Sequence, residues 1–193
     1  IVGPSESMSK SKKNTIDPQK IVDTFGADSV RFFILSDSPP ERDIQWSDDG
    51  MQTSFKFIQK IWNLNDKIFE ICKLKFDQNN EQIDIFTNQV IQRANESLEK
   101  FRYNVLIAIF HEIYSFFRKI SEENKNYKNL EENFKKILII MSPIIPHLTS
   151  ECLARFNENL NLKWPNVNKK YLIKSEKIIV IQVNGKKRNT IYR

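Results

Sequence analysis

The chain has 193 residues, of which 40% are hydrophobic and 28% charged, and a formal net charge of +6. That is enough apolar side chain for one large domain or two small ones, and no apolar run approaches the roughly eighteen residues a bilayer-spanning helix needs: Ile137–Met141 and Ile178–Val183 are too short. The two cysteines, Cys72 and Cys152, lack any Cys-x-x-Cys or nearby histidine spacing, so neither a zinc site nor a disulfide framework is indicated, and with no signal-peptide pattern this fits a reducing cytoplasm.

The chain starts at Ile1 rather than methionine and reads as a piece of a longer protein. Its first feature is Ser7-Met8-Ser9-Lys10-Ser11-Lys12-Lys13-Asn14, a hydroxyl-rich loop with three lysines and Met8 as its single apolar anchor. Such a loop suits phosphate, because serine hydroxyls and free backbone N–H groups donate to phosphate oxygens and lysine is a compact, movable charge. A solvated basic turn has the same composition. Asp17 then caps a short helix with Pro18 at its first position, and Gly26 ends it. A second short helix over Ala27–Ser36 carries Val30, Phe33 and Ile34 on one face; Arg31 among them reads either as a surface residue or as a group serving the site of the lysine loop. Ser38-Pro39-Pro40-Glu41-Arg42-Asp43 breaks the regularity, and Trp46 is the anchor expected to pin that turn.

Ser47 opens the longest helix. Phe57, Ile61, Leu64, Ile68 and Ile71 form one stripe at helical period, and Met51, Phe55, Ile58, Trp62, Asn65, Phe69 and Cys72 form another beside it, so this helix needs cover on a broad face. The same periodicity predicts helices near Gln82–Lys100, Asn104–Ile120 and Leu130–Met141, and Pro146 starts a short one through Phe156. Short connections make these an antiparallel bundle. Its aromatic stripes belong to the core, and His111 and His147, without a metal or nucleophile partner in the pattern, are given no chemistry.

After Trp164-Pro165, residues 166–175 read as a polar, basic linker. Lys177–Val183 then alternates as a strand, and Asn184-Gly185 supplies a two-residue turn to a returning strand over Lys186–Tyr192. A lone hairpin is marginal in water, so it reads as the start of a further α+β domain. Residues 161–193 hold nine Lys/Arg against one acid, a net +8, while residues 1–160 hold 21 basic and 23 acidic residues, a net −2. Basic character concentrated at one end suggests a polyanion partner.

Met8-Ser9-Lys10-Ser11 resembles the Lys-Met-Ser-Lys-Ser loop of class I aminoacyl-tRNA synthetases, with Ser7 at the usual first lysine. Ser11-Lys12-Lys13-Asn14, Gly26-Ala27-Asp28-Ser29-Val30-Arg31, Met141-Ser142-Pro143-Ile144-Ile145-Pro146-His147, Trp164-Pro165 and Val183-Asn184-Gly185-Lys186 follow in the order seen in the leucyl-tRNA synthetase family. In the valyl, isoleucyl, methionyl and cysteinyl enzymes a glycine usually precedes the asparagine, where Lys13 stands here. The resemblance implies a mainly α fold: signature loop and two short helices over 1–46, a helical-bundle anticodon-binding domain over 47–165, and a linker with the start of a C-terminal α+β domain and its truncated β-hairpin over 166–193. It further implies leucine–tRNA ligase activity in the full-length protein. Lys10 would be the catalytic residue that stabilises phosphate charge, and Met8, Ser9, Lys10 and Ser11 would bind ATP, which brings Mg2+. Leucine and a leucine-accepting tRNA would be the other substrates, with Lys186, Lys187 and Arg188 touching the tRNA. The protein would be a cytoplasmic monomer with no metal held by this segment, and the segment alone would be inactive. A free-standing RNA-binding helical module and a helical scaffold for protein partners are the other readings.

Overall fold

The computed structural model describes residues 6–37, 39–158, 163–172, 178–183 and 186–192. Helix α1 (Pro18–Phe25) begins where Asp17 accepts from the Gln19 N–H and ends at Gly26, whose N–H returns to the Val22 carbonyl. Gly26 has φ +80, a left-handed conformation that side chains resist, so one glycine both stops α1 and lets the chain turn at once into α2 (Ala27–Asp37).

Helix α3 (Asp48–Cys72) is capped by the Ser47 hydroxyl on the Gly50 N–H. Phe57, Ile61, Leu64, Ile68 and Ile71 are buried, whereas Phe55, Ile58, Trp62 and Phe69 of the neighbouring stripe are half-buried. Helix α4 (Glu81–Glu99) packs on α5 (Tyr103–Glu122) and α6 (Leu130–Met141), which together with α7 (Pro146–Arg155) pack around α3. Phe110, Phe117 and Phe134 lie wholly inside, with the ring of Phe117 edge-on to Phe134 at 5.3 Å. Each such ring contributes about 1.5–3 kcal/mol by leaving water.

Two features have no trace in the hydrophobic period. The loops leaving the C-terminal ends of α3 and α5 meet in a parallel bridge of β1 (Phe76–Asp77) with β2 (Asn126–Tyr127). Asn126 secures it by donating from Nδ2 to the carbonyls of Cys72 and Leu74 at 2.9 and 2.8 Å. In addition, the segment that composition reads as a linker is docked where it is described. Pro165 is buried, Val167 packs on the core, the Asn168 N–H donates to Asn88 Oδ1 on α4 at 2.7 Å, and a 3-10 turn at Lys169–Tyr171 follows.

Strands β3 (Ile178–Val183) and β4 (Lys186–Tyr192) pair antiparallel. Val183 opposite Lys186 leaves two residues for the turn; Asn184-Gly185 itself lies outside the described residues. Ile181 pairs with Asn189 but Gln182 with Lys187, so Arg188 is an extra residue in β4, a bulge.

Candidate functional site: the lysine loop and its tether

Residues 10–13 form a turn closed by the Lys13 N–H on the Lys10 carbonyl at 3.2 Å. Lys13 has φ 54, which is where glycine costs nothing and an L side chain costs about 1–2 kcal/mol. The turn is clasped across its base: Asn14 Oδ1 accepts from the Ser9 N–H at 2.8 Å, and Asn14 Nδ2 donates to the Ser7 carbonyl at 3.3 Å. Ser9 Oγ accepts from the Lys12 N–H at 3.3 Å and sits 3.2 Å from Ser11 Oγ. Thus Ser9 builds the turn as well as offering a hydroxyl, and Ser11 presents the second hydroxyl beside it. Lys12 pairs with Glu6 at 3.2 Å. Lys10 is exposed at the start of the turn.

Met8 and Asn14, with Ile16, face Ile44 and Trp46 across a hollow of about 780 Å³. That volume is in the range of small-molecule sites, roughly 300–1,000 Å³. Lys10 and Ser11 lie on the turn and do not line it. Trp46 is held by its ring edge-on to Phe33 at 5.3 Å and by Nε1 donating to Asp48 Oδ1 at 2.8 Å. Phe33 reaches α3 because Gly50 carries no Cβ; one added there would stand 2.7 Å from the Phe33 ring.

Helix α2 ties this loop to the bundle through polar contacts that span over a hundred residues. Helix α7 has no cap of its own, since Ile145 precedes it and Pro146 lacks an N–H. Asp28 of α2 supplies the cap: its carboxylate accepts from the Leu148 N–H at 2.6 Å and the His147 N–H at 3.3 Å, with His147 Nδ1 at 2.9 Å. Asp28 is buried, so these bonds are made in a medium that strengthens them. One turn later, Arg31 donates from Nε to the Ile144 carbonyl at 2.9 Å and from Nη2 to the Pro143 carbonyl at 2.7 Å. Arg31 therefore bridges α2 to the α6–α7 corner. The Gly-Ala-Asp and Ser-Pro-Ile-Ile-Pro-His segments, separate in sequence, are the two halves of one joint.

The remaining candidates are structural. Burial pushes the thiols of Cys72 and Cys152 up to about 12, far from a reactive thiolate. His111 lies with its ring 4.3 Å from that of Phe57, and burial, with the positive charge of Lys60, lowers its pKa below the ordinary 6.5. The unfolded chain therefore takes up the proton first as pH falls through 6.5, and stability that is complete above that value is lost below it. A thermal melt should fall on acidification from about pH 7.5 to 5.5, and His111→Gln should flatten that decline; an identical slope in the variant would assign the loss to other groups.

Residues 80–192 match the family described as the anticodon-binding domain of tRNA ligase, and residues 4–47 match the class I tRNA synthetases (I, L, M and V). The leucine–tRNA ligase of Novosphingobium aromaticivorans is 33% identical over 192 residues, covering 98% of this chain and 22% of the relative. That of Cereibacter sphaeroides is 36% identical over 193 residues, covering 97% of this chain and 22% of the relative. The chain thus spans about a fifth of the length of the curated relatives it matches. The fold is that of part of the Agrobacterium radiobacter K84 agnB2 LeuRS in its LeuRS–tRNA–LeuAMS complex, with a TM-score of 0.80 at 23% identity over 95% of this chain and 25% of that one. The chain belongs to the anticodon-binding domain family of tRNA ligases, and ahead of that domain it carries a segment that matches the class I tRNA synthetases.

Proposed function

We propose that the full-length protein containing this chain is a cytoplasmic, monomeric leucine–tRNA ligase, that the Met8–Ser11 loop serves its ATP site, and that the bundle and hairpin bind the tRNA. The observation that carries this reading is the clasped lysine loop beside a nucleotide-sized hollow, joined through Asp28 and Arg31 to the helical domain. In that arrangement Ser9 and Ser11 hydroxyls and the turn's backbone N–H groups orient phosphate oxygens, and Lys10 follows the negative charge that grows as leucine displaces pyrophosphate from ATP. Among the described residues no group of three or more His, Cys, Asp or Glu side chains could hold a metal ion. A magnesium ion bound with ATP would take phosphate oxygens and water as ligands, and none of this chain's residues is assigned to it. Leucine-dependent ATP–pyrophosphate exchange and leucylation of tRNA by the full-length protein test the reading; exchange driven by a different amino acid would refute it.

Lys186, Lys187 and Arg188 open β4, immediately after the turn in the most basic stretch of the chain. Glutamine at all three should weaken tRNA binding and reduce the slope of log affinity against log salt by about 0.7–0.9 for each phosphate that is no longer neutralised. Adenylate formation, which needs no tRNA, should be unchanged. An unmoved slope would make these three residues solvated strand-end charges.

A further inference from the structure

We infer that Lys13 is a second phosphate ligand of the lysine loop, holding ATP before reaction and supplying a charge that Ser7 across the clasp lacks. The inference deepens the ATP-site reading above and rests on it. It starts from a conformation that lysine does not favour. Lys13 is exposed, has φ 54 and is the last residue of the turn closed by its own N–H on the Lys10 carbonyl. Glycine is favoured at the fourth position of the commonest such turn, because it takes positive φ without a Cβ clash. Asn124 and Asn157, which also have positive φ, carry short polar side chains that ease the conformation by bonding locally. Lysine has no such group near its backbone. Its strain is borne by the surrounding structure, the Asn14 clasp on Ser7 and Ser9. A long cation held where glycine would be free of strain points to a use for the charge.

The turn and the clasp fix where that charge is rooted. As first and last residues of a hydrogen-bonded turn, Lys10 and Lys13 keep their Cα atoms within about 7 Å. Two flexible ammonium groups rooted so close can take oxygens of neighbouring phosphates in one ligand. Lys12 between them is paired with Glu6 at 3.2 Å, whereas neither Lys10 nor Lys13 has a carboxylate within ion-pair distance among the described residues. The uncompensated charges of the turn are therefore its two ends, an arrangement that suits a nucleoside triphosphate better than an isolated anion. Asn14, the residue after Lys13, lines the hollow of about 780 Å³ and donates to the Ser7 carbonyl at 3.3 Å. Lys13 is thus rooted at the edge of the hollow, across the clasp from Ser7, which lines it too. Positions 7 and 13 are alternative roots for one charge, and with serine at the first the lysine at the second supplies it. The phosphates of ATP are charged before and throughout the reaction, so losing Lys13 should weaken ATP binding more than it slows the chemical step.

The test is leucine-dependent pyrophosphate exchange by the full-length enzyme over a range of ATP concentrations, with the urea midpoint of each variant measured alongside. Lys13→Gly should raise the KM for ATP about tenfold, with kcat and the KM for leucine moving by no more than about twofold. Its urea midpoint should not fall, because glycine relieves the backbone strain. Lys13→Asn, which tolerates the same conformation without the charge, should raise the KM for ATP as much, and Lys13→Arg, which keeps the charge, should recover most of the loss. Adding Ser7→Lys to Lys13→Gly should bring the KM for ATP back to within about threefold of the parent. If the parent shows no leucine-dependent exchange, the functional reading fails and this inference falls with it. If the parent exchanges and Lys13→Gly keeps its KM for ATP, the inference is overturned while that reading stands. A rise in Lys13→Gly that is absent from Lys13→Asn would place the effect in the freed backbone, and a rise that Ser7→Lys leaves unrelieved would separate the two positions; either result overturns the inference.

Discussion

Replacing Asp28 by alanine is expected to destabilise the chain by about 2–4 kcal/mol, more than any other single polar change in the joint between the loop and the bundle. The carboxylate is buried and is the N-terminal cap of α7, accepting from Leu148 and His147 N–H groups that have no other partner in the helix. Alanine would leave both donors without an acceptor and remove a negative charge from the positive end of the helix dipole. A part of this is offset because a buried carboxylate no longer has to be desolvated, which keeps the estimate below the sum of the separate bonds. Asp28→Asn, which keeps one acceptor oxygen, should lose roughly half as much. His147→Ala should cost little, because that side chain is 76% exposed and both backbone bonds survive without it. The measurement is the urea midpoint of each variant; equal losses for Asp28→Ala and His147→Ala would place the stabilisation in the side-chain pair and not in the cap.

The joint also marks the limit of what the sequence reveals. Local signals were readable: Asp17, Pro18 and Gly26 delimit α1, and the stripe from Phe57 to Ile71 is the buried side of α3. Leu130–Met141 is helical over the residues its period predicts. These are decided by neighbours within a turn or two. Asp28 capping a helix that begins 118 positions later leaves no local pattern, because both segments look like ordinary helix starts until the fold brings them together. Arg31 is ambiguous in sequence for the same reason. The β1–β2 bridge has two residues on each side, too few for alternation to register, and the polar stretch after Pro165 docks through Asn88 and Val167 rather than through an apolar stripe. In the loop, residue types point to phosphate, but the clasp by Asn14 and the left-handed Lys13 are visible only in three dimensions.

In the proposed function the loop's chemistry rests on Lys10. Lys12 is engaged with Glu6, and Lys13 closes the turn, while Lys10 has no carboxylate within ion-pair distance among the described residues and stands exposed at the head of a clasped turn. A lysine so placed gains most when charge builds on the phosphates in the transition state, so its loss should fall on the rate and not on leucine binding. Ser7, whose carbonyl already serves the clasp, should accept lysine at little consequence, since one more exposed charge in a basic loop adds little through water. Leucine-dependent pyrophosphate exchange by the full-length enzyme carrying Lys10→Ala, set beside the parent and Ser7→Lys, tests this most directly. The account predicts a rate lower by on the order of a hundred- to a thousand-fold, about 2.7–4 kcal/mol, with the KM for leucine nearly unchanged and Ser7→Lys close to the parent. A Lys10→Ala enzyme within a few-fold of the parent would contradict it and remove this loop from the chemistry.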